Sequence, residues 1–251
     1  MDKQLSYEGY YLVWQDDFNS EKLNLDDWNI ELHEPGWVNH ELQEYTASAE
    51  NIFIKDGKLV LQGVKKENGS FTSGRVSTQW KHDFTYGIFE ARLKVPKGKG
   101  YLPAFWLMTT DENKYGQWPR CGEIDIMEVL GHDTATNYGT IHFGIPHKQS
   151  QGKYTLENGT FSDEFHVYAL KWEENRLCWY IDGNLMFTET DWYCCREETG
   201  PIPQPAPFNH PFYIILNLAV GGDWPGDPDE TTDFEHEALV VDYVKVYQEE
   251  V

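Results

Sequence analysis

Short runs of alternating side chains, separated by turn dipeptides, restrict this chain to β-structure. In the run 86–95, Tyr86, Ile88, Glu90, Arg92 and Lys94 share one face while Phe89, Ala91, Leu93 and Val95 share the other, since successive strand side chains point to opposite sides of a sheet. Asp56-Gly57, Asn68-Gly69, Asn158-Gly159 and Asp182-Gly183 are pairs that suit tight hairpin turns, where positive φ is needed. A meander is expected from His166-Val-Tyr-Ala-Leu-Lys-Trp172 through Leu177-Cys-Trp-Tyr-Ile181 to Leu185-Met-Phe187, with later strands at 212–218 and 239–247. Long helical periodicity is absent. Many strands, frequent turns and no helices predict an all-β sandwich. No repeat or low-complexity linker interrupts the 251 residues, so one domain over 1–251 is expected, a length that all-β sandwiches reach as single units. The Pro-rich stretch 201–211 reads as one ordered loop.

Composition narrows the partners. Ten Trp, 15 Tyr and 13 Phe supply rigid flat faces that suit stacking on sugar rings, although core packing must account for more than half of the tryptophans. A formal charge of −22 argues against nucleic acid and anionic membrane surfaces as partners and equally disfavours heavily sulfated polymers, because like charges repel. A neutral polymer is compatible. Cys121, Cys178, Cys194 and Cys195 form no zinc-spaced set, and the adjacent pair is poorly placed for a mutual disulfide. No apolar run approaches membrane-spanning length, and residues 1–11 lack the apolar core of a signal peptide.

The segment Cys121-Gly-Glu-Ile-Asp-Ile-Met-Glu-Val-Leu-Gly131 carries the chemistry. With 42 acids in the chain, about one acid-x-acid-x-x-acid match is expected by chance, so context must decide. Here three carboxylates are threaded through Ile124, Ile126, Met127, Val129 and Leu130, a run that otherwise reads as a buried strand. Acids are poor strand residues and clustered like charges oppose one another, which points to use rather than accident. In a regular strand Glu123 and Asp125 share a face and Glu128 points away; one extra residue near Ile126-Met127, a β-bulge, restores Glu128 to their side. Two carboxyls so placed can approach the ~5–5.5 Å used by retaining glycosidases.

Glu-Ile-Asp-Ile-Met-Glu with Trp118-Pro119 before it resembles the catalytic strand of the family-16 glycoside hydrolases in their bulged, laminarinase-like form. Gly36-Trp-Val-Asn-His-Glu-Leu-Gln-Glu-Tyr-Thr46, Thr72-Ser-Gly-Arg-Val76, Tyr86-Gly-Ile-Phe-Glu-Ala-Arg92, Pro103-Ala-Phe-Trp106, Asn217-Leu-Ala-Val-Gly-Gly222 and Val241-Asp-Tyr-Val-Lys-Val-Tyr247 extend the resemblance over nearly the whole chain. It implies a jelly-roll sandwich of two antiparallel sheets with a concave sugar cleft. It implies Glu123 as nucleophile, Asp125 as its assistant and Glu128 as acid/base in endo-hydrolysis of β-1,3 or mixed-linkage β-1,3-1,4 glucan. Trp106 and Trp118 would flank the scissile bond, Asn39 and Arg75 would bind sugars on the non-reducing side, and His142 would stand beside Asp125. No cofactor is implied for the chemistry. A structural Ca²⁺ on the convex side would take the Asp242 carboxylate and the carbonyls of Asp17 and Gly57. A monomer acting outside the cell or at its surface, on a neutral β-glucan, completes the expectation.

Plainer roles stand beside these. Arg75 can be an ion-pair partner, Trp106 partly core, His142 a satisfied polar residue and Asp242 a partner of Lys245. Leu102 replaces a frequent Trp, Val129 a frequent aromatic, and Glu235 a usual proline after Phe234. A non-catalytic sugar-binding module on the same architecture is the alternative from another class, because fold alone does not fix function. An agarase, carrageenase or transglycosylase of the same family is the alternative within the enzymes.

Overall fold

The computed structural model describes residues 7–196 and 200–250, and every regular element among them is a strand. Two eight-stranded sheets form a jelly-roll sandwich. One runs Asn184–Glu189, Arg176–Ile181, His166–Glu173, Gly87–Lys94, Leu239–Glu249, Leu59–Leu61 and Ile52–Ile54, with Tyr10–Asp16 also paired to Leu239–Glu249. The other runs Lys148–Thr155, Asp133–Phe143, Glu123–Leu130, Tyr101–Thr109, Phe212–Val220, Arg75–Ser77 and Asn29–Ile30, with Asp83–Phe84 on Phe212–Val220. The expected meander is present as three consecutive antiparallel neighbours. At Asp56-Gly57 and Asp182-Gly183 both residues have positive φ, the conformation that matches strand twist; at the other two dipeptides only the glycine does.

Side chains from both inner faces make one core, with Phe89, Leu93, Leu170 and Trp172 from the first sheet meeting Phe105, Leu107, Ile124 and Ile214 from the second. Each such fully buried side chain contributes about 1.5–3 kcal/mol by leaving water. Trp28, Trp172, Trp179 and Trp192 are buried, whereas Trp37, Trp80, Trp118 and Trp224 are exposed. All four cysteines are free thiols.

Two features depart from the local sequence pattern. The charged face of the run 86–95 is not open throughout: Glu90 is fully buried, accepting hydrogen bonds from the Tyr7 hydroxyl at 2.5 Å and the Tyr243 hydroxyl at 2.8 Å, one on each carboxylate oxygen. Part of the stretch read as a loop is a strand, since Gly200–Pro203 pairs with Tyr193–Arg196. Glu90 is covered by tyrosines distant in sequence, whereas Gly200–Pro203 pairs with the segment only a few residues before it, a pairing that its Pro-rich composition hides.

Candidate active site

The acidic strand Glu123–Leu130 lies in the middle of the second sheet, and its register shows why all three acids share a face. Trp106 pairs with Asp125 and Phe105 with Met127, which leaves Ile126 as the extra residue. On the opposite side Asp125 pairs with Thr140 and Glu128 with Tyr138, so Ile126 and Met127 both stand against Gly139. Both bulged side chains turn into the core. Trp179, from the other sheet, donates its indole N–H to the Asp125 carbonyl at 2.8 Å, satisfying a backbone acceptor beside the irregularity. Gly139 permits that approach: a Cβ there would lie 2.6 Å from the Trp179 ring.

Around the acids the expected side chains converge. Trp118, 46% exposed, donates Nε1–H to Glu123 Oε2 at 2.6 Å. His142 Nε2 is 3.4 Å from Asp125 Oδ2, an oxygen buried without any hydrogen-bond partner. Thr140 Oγ1 is 3.5 Å from Glu128 Oε2. Trp106 donates to Asn217 Oδ1 at 2.7 Å. Arg75, only 6% exposed, pairs with Glu31 and sets its guanidinium 4.8 Å from the Trp106 ring centre and 5.2 Å from that of Trp37. The expected contact residue is thus also an ion-pair partner that braces two aromatic walls. Asn39 is exposed and has φ 50°; its carbonyl accepts the Asp223 N–H at 3.0 Å.

Glu31, Trp37, Glu41, His147 and Asn217 belong to this surface but were not singled out by sequence reasoning. Trp37 and Glu41 lie inside the quoted segment Gly36 to Thr46, which was a usable signal. His147 carried none. Glu41 is a second buried carboxylate in the groove; burial raises its pKa while Gln43, Arg75 and Asn39 act the other way.

Burial dominates the electrostatics of the triplet. It raises Glu123 to about 8, assisted by the Asp125 charge and opposed by His142 and the Trp118 N–H. It raises Asp125 to about 7. Glu128 is pushed well upward by burial, then by Asp125 and Glu123. Glu123 and Asp125 share a hydrogen bond and both are raised, so their protons come off as those of an interacting set rather than of independent groups. The lower value of Asp125 would put the shared proton on Glu123; the Trp118 N–H donated to Glu123 and its lesser burial act the other way and favour charge on Glu123.

Residues 39–244 match the model of glycosyl hydrolases family 16. The chain belongs to this family. It is 38% identical, over 96% of its length, to a glucan endo-1,3-beta-glucosidase of Cryptopygus antarcticus, of which it spans 93%. Against glucan endo-1,3-beta-glucosidase A1 of Niallia circulans it is also 38% identical over 96% of its length, but it spans only 38% of that protein. The laminarinase of Rhodothermus marinus superposes with a TM-score of 0.84 at 33% identity, covering 96% of this chain and 98% of that one.

Family-16 likeness also raised the calcium expectation, and here the side chains disagree. Asp16 pairs with Val244 and Leu59 with Val241, so strand order brings the segments that carry Asp17, Gly57 and Asp242 to one region of the first sheet. Both Asp242 oxygens, however, already face cations: Arg92 Nη1 at 2.6 Å and Lys58 Nζ at 3.2 Å. Lys245, the partner considered from sequence, lies instead over the Tyr243 ring. A divalent ion at Asp242 would meet two positive side chains and a neutralised ligand, so these residues do not fit Ca²⁺. Thermal melts with and without EDTA are expected to coincide within about 1 °C; a metal bound only by the native state would shift them by mass action.

Proposed function

We propose that this family-16 protein is an endo-acting, retaining β-glucanase that cuts internal β-1,3 bonds, including those of mixed-linkage β-1,3-1,4 glucan. The observation that carries the reading is the bulge, which turns Glu123, Asp125 and Glu128 to one face between indole walls. Glu123 attacks the anomeric carbon while Glu128 protonates the departing oxygen, leaving a glycosyl ester on Glu123. Asp125 holds the proton of the Glu123–Asp125 unit and directs it at Glu123, keeping the nucleophile ionised and oriented. Once Glu123 is an ester, its repulsion of Glu128 is gone. Glu128 then loses its proton more readily and serves as base for the incoming water.

Trp118 and Trp106 offer faces for sugar rings on either side of the reacting bond, and Asn39 and Arg75 offer donors to hydroxyls further along. Glucan-active relatives across the whole chain length favour a β-1,3-glucan over agar or carrageenan. A purely sugar-binding role gives no reason to hold three carboxylates together against burial and mutual repulsion.

Laminarin and barley mixed-linkage glucan should be depolymerised and crystalline cellulose left intact, as measured by reducing ends. Internal attack should make viscosity fall faster than reducing ends rise. Equal rates on cellulose, or release of one small sugar from the start, would remove the β-1,3 endo reading.

A further inference from the structure

The histidine that faces Asp125 is itself held by a second histidine. His142 Nδ1 is 2.9 Å from His147 Nε2, and the two rings lie 5.1 Å apart at 16°. His147 stands in the turn immediately before the edge strand Lys148–Thr155 and is exposed. Its ring also lies 4.9 Å from Trp118, whose N–H is donated to Glu123. One exposed side chain therefore touches both groups that reach the Glu123–Asp125 unit: His142 toward Asp125 and Trp118 toward Glu123.

The hydrogen bond between the imidazoles has a chemical consequence. A neutral imidazole carries one proton, and whichever nitrogen holds it leaves the other as an acceptor. If His147 Nε2–H donates to His142 Nδ1, the His142 proton is forced onto Nε2. That N–H then faces Asp125 Oδ2, the buried oxygen with no hydrogen-bond partner of its own. The reverse arrangement would point a bare nitrogen lone pair at the same oxygen, which is the poorer match because Oδ2, with the Asp125 proton directed at Glu123, can only accept. The charged or titratable groups facing the pair are Glu123, Asp125 and Glu128 on the acidic strand. The pair sits against that acidic side with Trp118 as its remaining wall.

We propose that His147 is a positioning residue for the hydrolysis: it sets the tautomer of His142, which orients Asp125, and it braces Trp118 against Glu123. The proposal rests on the retaining β-glucanase reading. His147 contacts neither the reacting atoms nor the carboxylates, so its removal acts on the geometry of the charged unit rather than on the fold.

The test compares wild type, His147→Ala and His147→Gln on laminarin, with pH–rate profiles, thermal melts and ¹⁵N imidazole shifts. His147→Ala should keep the wild-type melting temperature within about 1 °C, lower kcat about 5- to 30-fold, leave KM within about twofold and move the acid limb of the profile, while His142 departs from the Nε2–H tautomer. These magnitudes follow from a lost orienting hydrogen bond of about 1–2 kcal/mol. His147→Gln, whose amide nitrogen can donate from nearly the same position, should restore kcat and the tautomer. An unchanged kcat and profile in His147→Ala, a change confined to KM, or a glutamine variant as impaired as the alanine would each overturn the proposal. A wild-type protein inert on laminarin would instead defeat the β-glucanase reading, independently of how the variants behave.

Discussion

Glu123→Ala is expected to lower kcat on laminarin by at least about 10⁴-fold while leaving glucan affinity nearly unchanged, because only an interaction made in the transition state is removed. Glu128→Ala should fail differently. An aryl β-glucoside with a good leaving group needs little protonation, so its first step should survive and deglycosylation should become limiting. Added azide, which needs no base, should then restore turnover and give a β-glycosyl azide. In Glu123→Ala azide enters from the vacated face and should yield the α-azide. Asp125→Asn should be less damaging than either, since Asp125 orients the nucleophile rather than reacting. The anomer released first by wild type, followed by NMR, must retain the β configuration; an inverted product would falsify the double-displacement mechanism whatever the mutants do.

The same carboxylates should make the native enzyme less stable than its inactive variants, and the difference should depend on pH. Glu123 is raised from an ordinary 4.5 to about 8, and Glu128 moves in the same direction, chiefly through burial. Between the ordinary carboxylate range and these higher values the folded state binds more protons than the unfolded one, so stability falls as pH rises. The favourable contribution is fully present below about pH 4 and is lost as pH climbs toward about 8. Glu123→Gln and Glu128→Gln keep shape and hydrogen-bonding capacity but cannot ionise. Each should be more stable than wild type at pH 8 by about 1–3 kcal/mol, a rise of several degrees in Tm for a domain of this size. Near pH 4 the curves should converge. Denaturant titrations at pH 4, 6 and 8 measure this directly. A constant difference across that range would mean that the buried acids do not titrate with raised pKa values.

Arg75 and Trp106 show why plain and functional roles need not compete. Arg75 was read as either a sugar contact or an ion-pair partner, and the fold makes it a buried partner of Glu31 whose guanidinium lies against two tryptophans of the groove. Its rigidity is what fixes the walls. A planar, permanently charged group suits that position, because it stacks on indole while satisfying a carboxylate.

Much of the reaction centre was readable before any coordinates. A five-residue spacing between Glu123 and Glu128 cannot share a face in a regular strand, so the period of two says that a bulge is needed if the three acids act together, and the resemblance to the bulged family-16 strand supplied that premise. The alternating runs and Asp-Gly turns likewise determined an all-β sandwich, because side-chain direction and positive φ are local properties. What the tertiary structure decided were contacts between residues far apart in the chain: the Trp179 donor on the Asp125 carbonyl, Glu90 closed over by Tyr7 and Tyr243, His147 against Trp118, and Arg92 with Lys58 around Asp242. Strand order and loop path set those meetings, and neither is written in the local pattern. The surroundings of Asp242 were hidden for the same reason: the ligand set came from the family resemblance, whereas Arg92 on the adjacent strand and Lys58 in the turn before Leu59–Leu61 are brought to the carboxylate only by the fold.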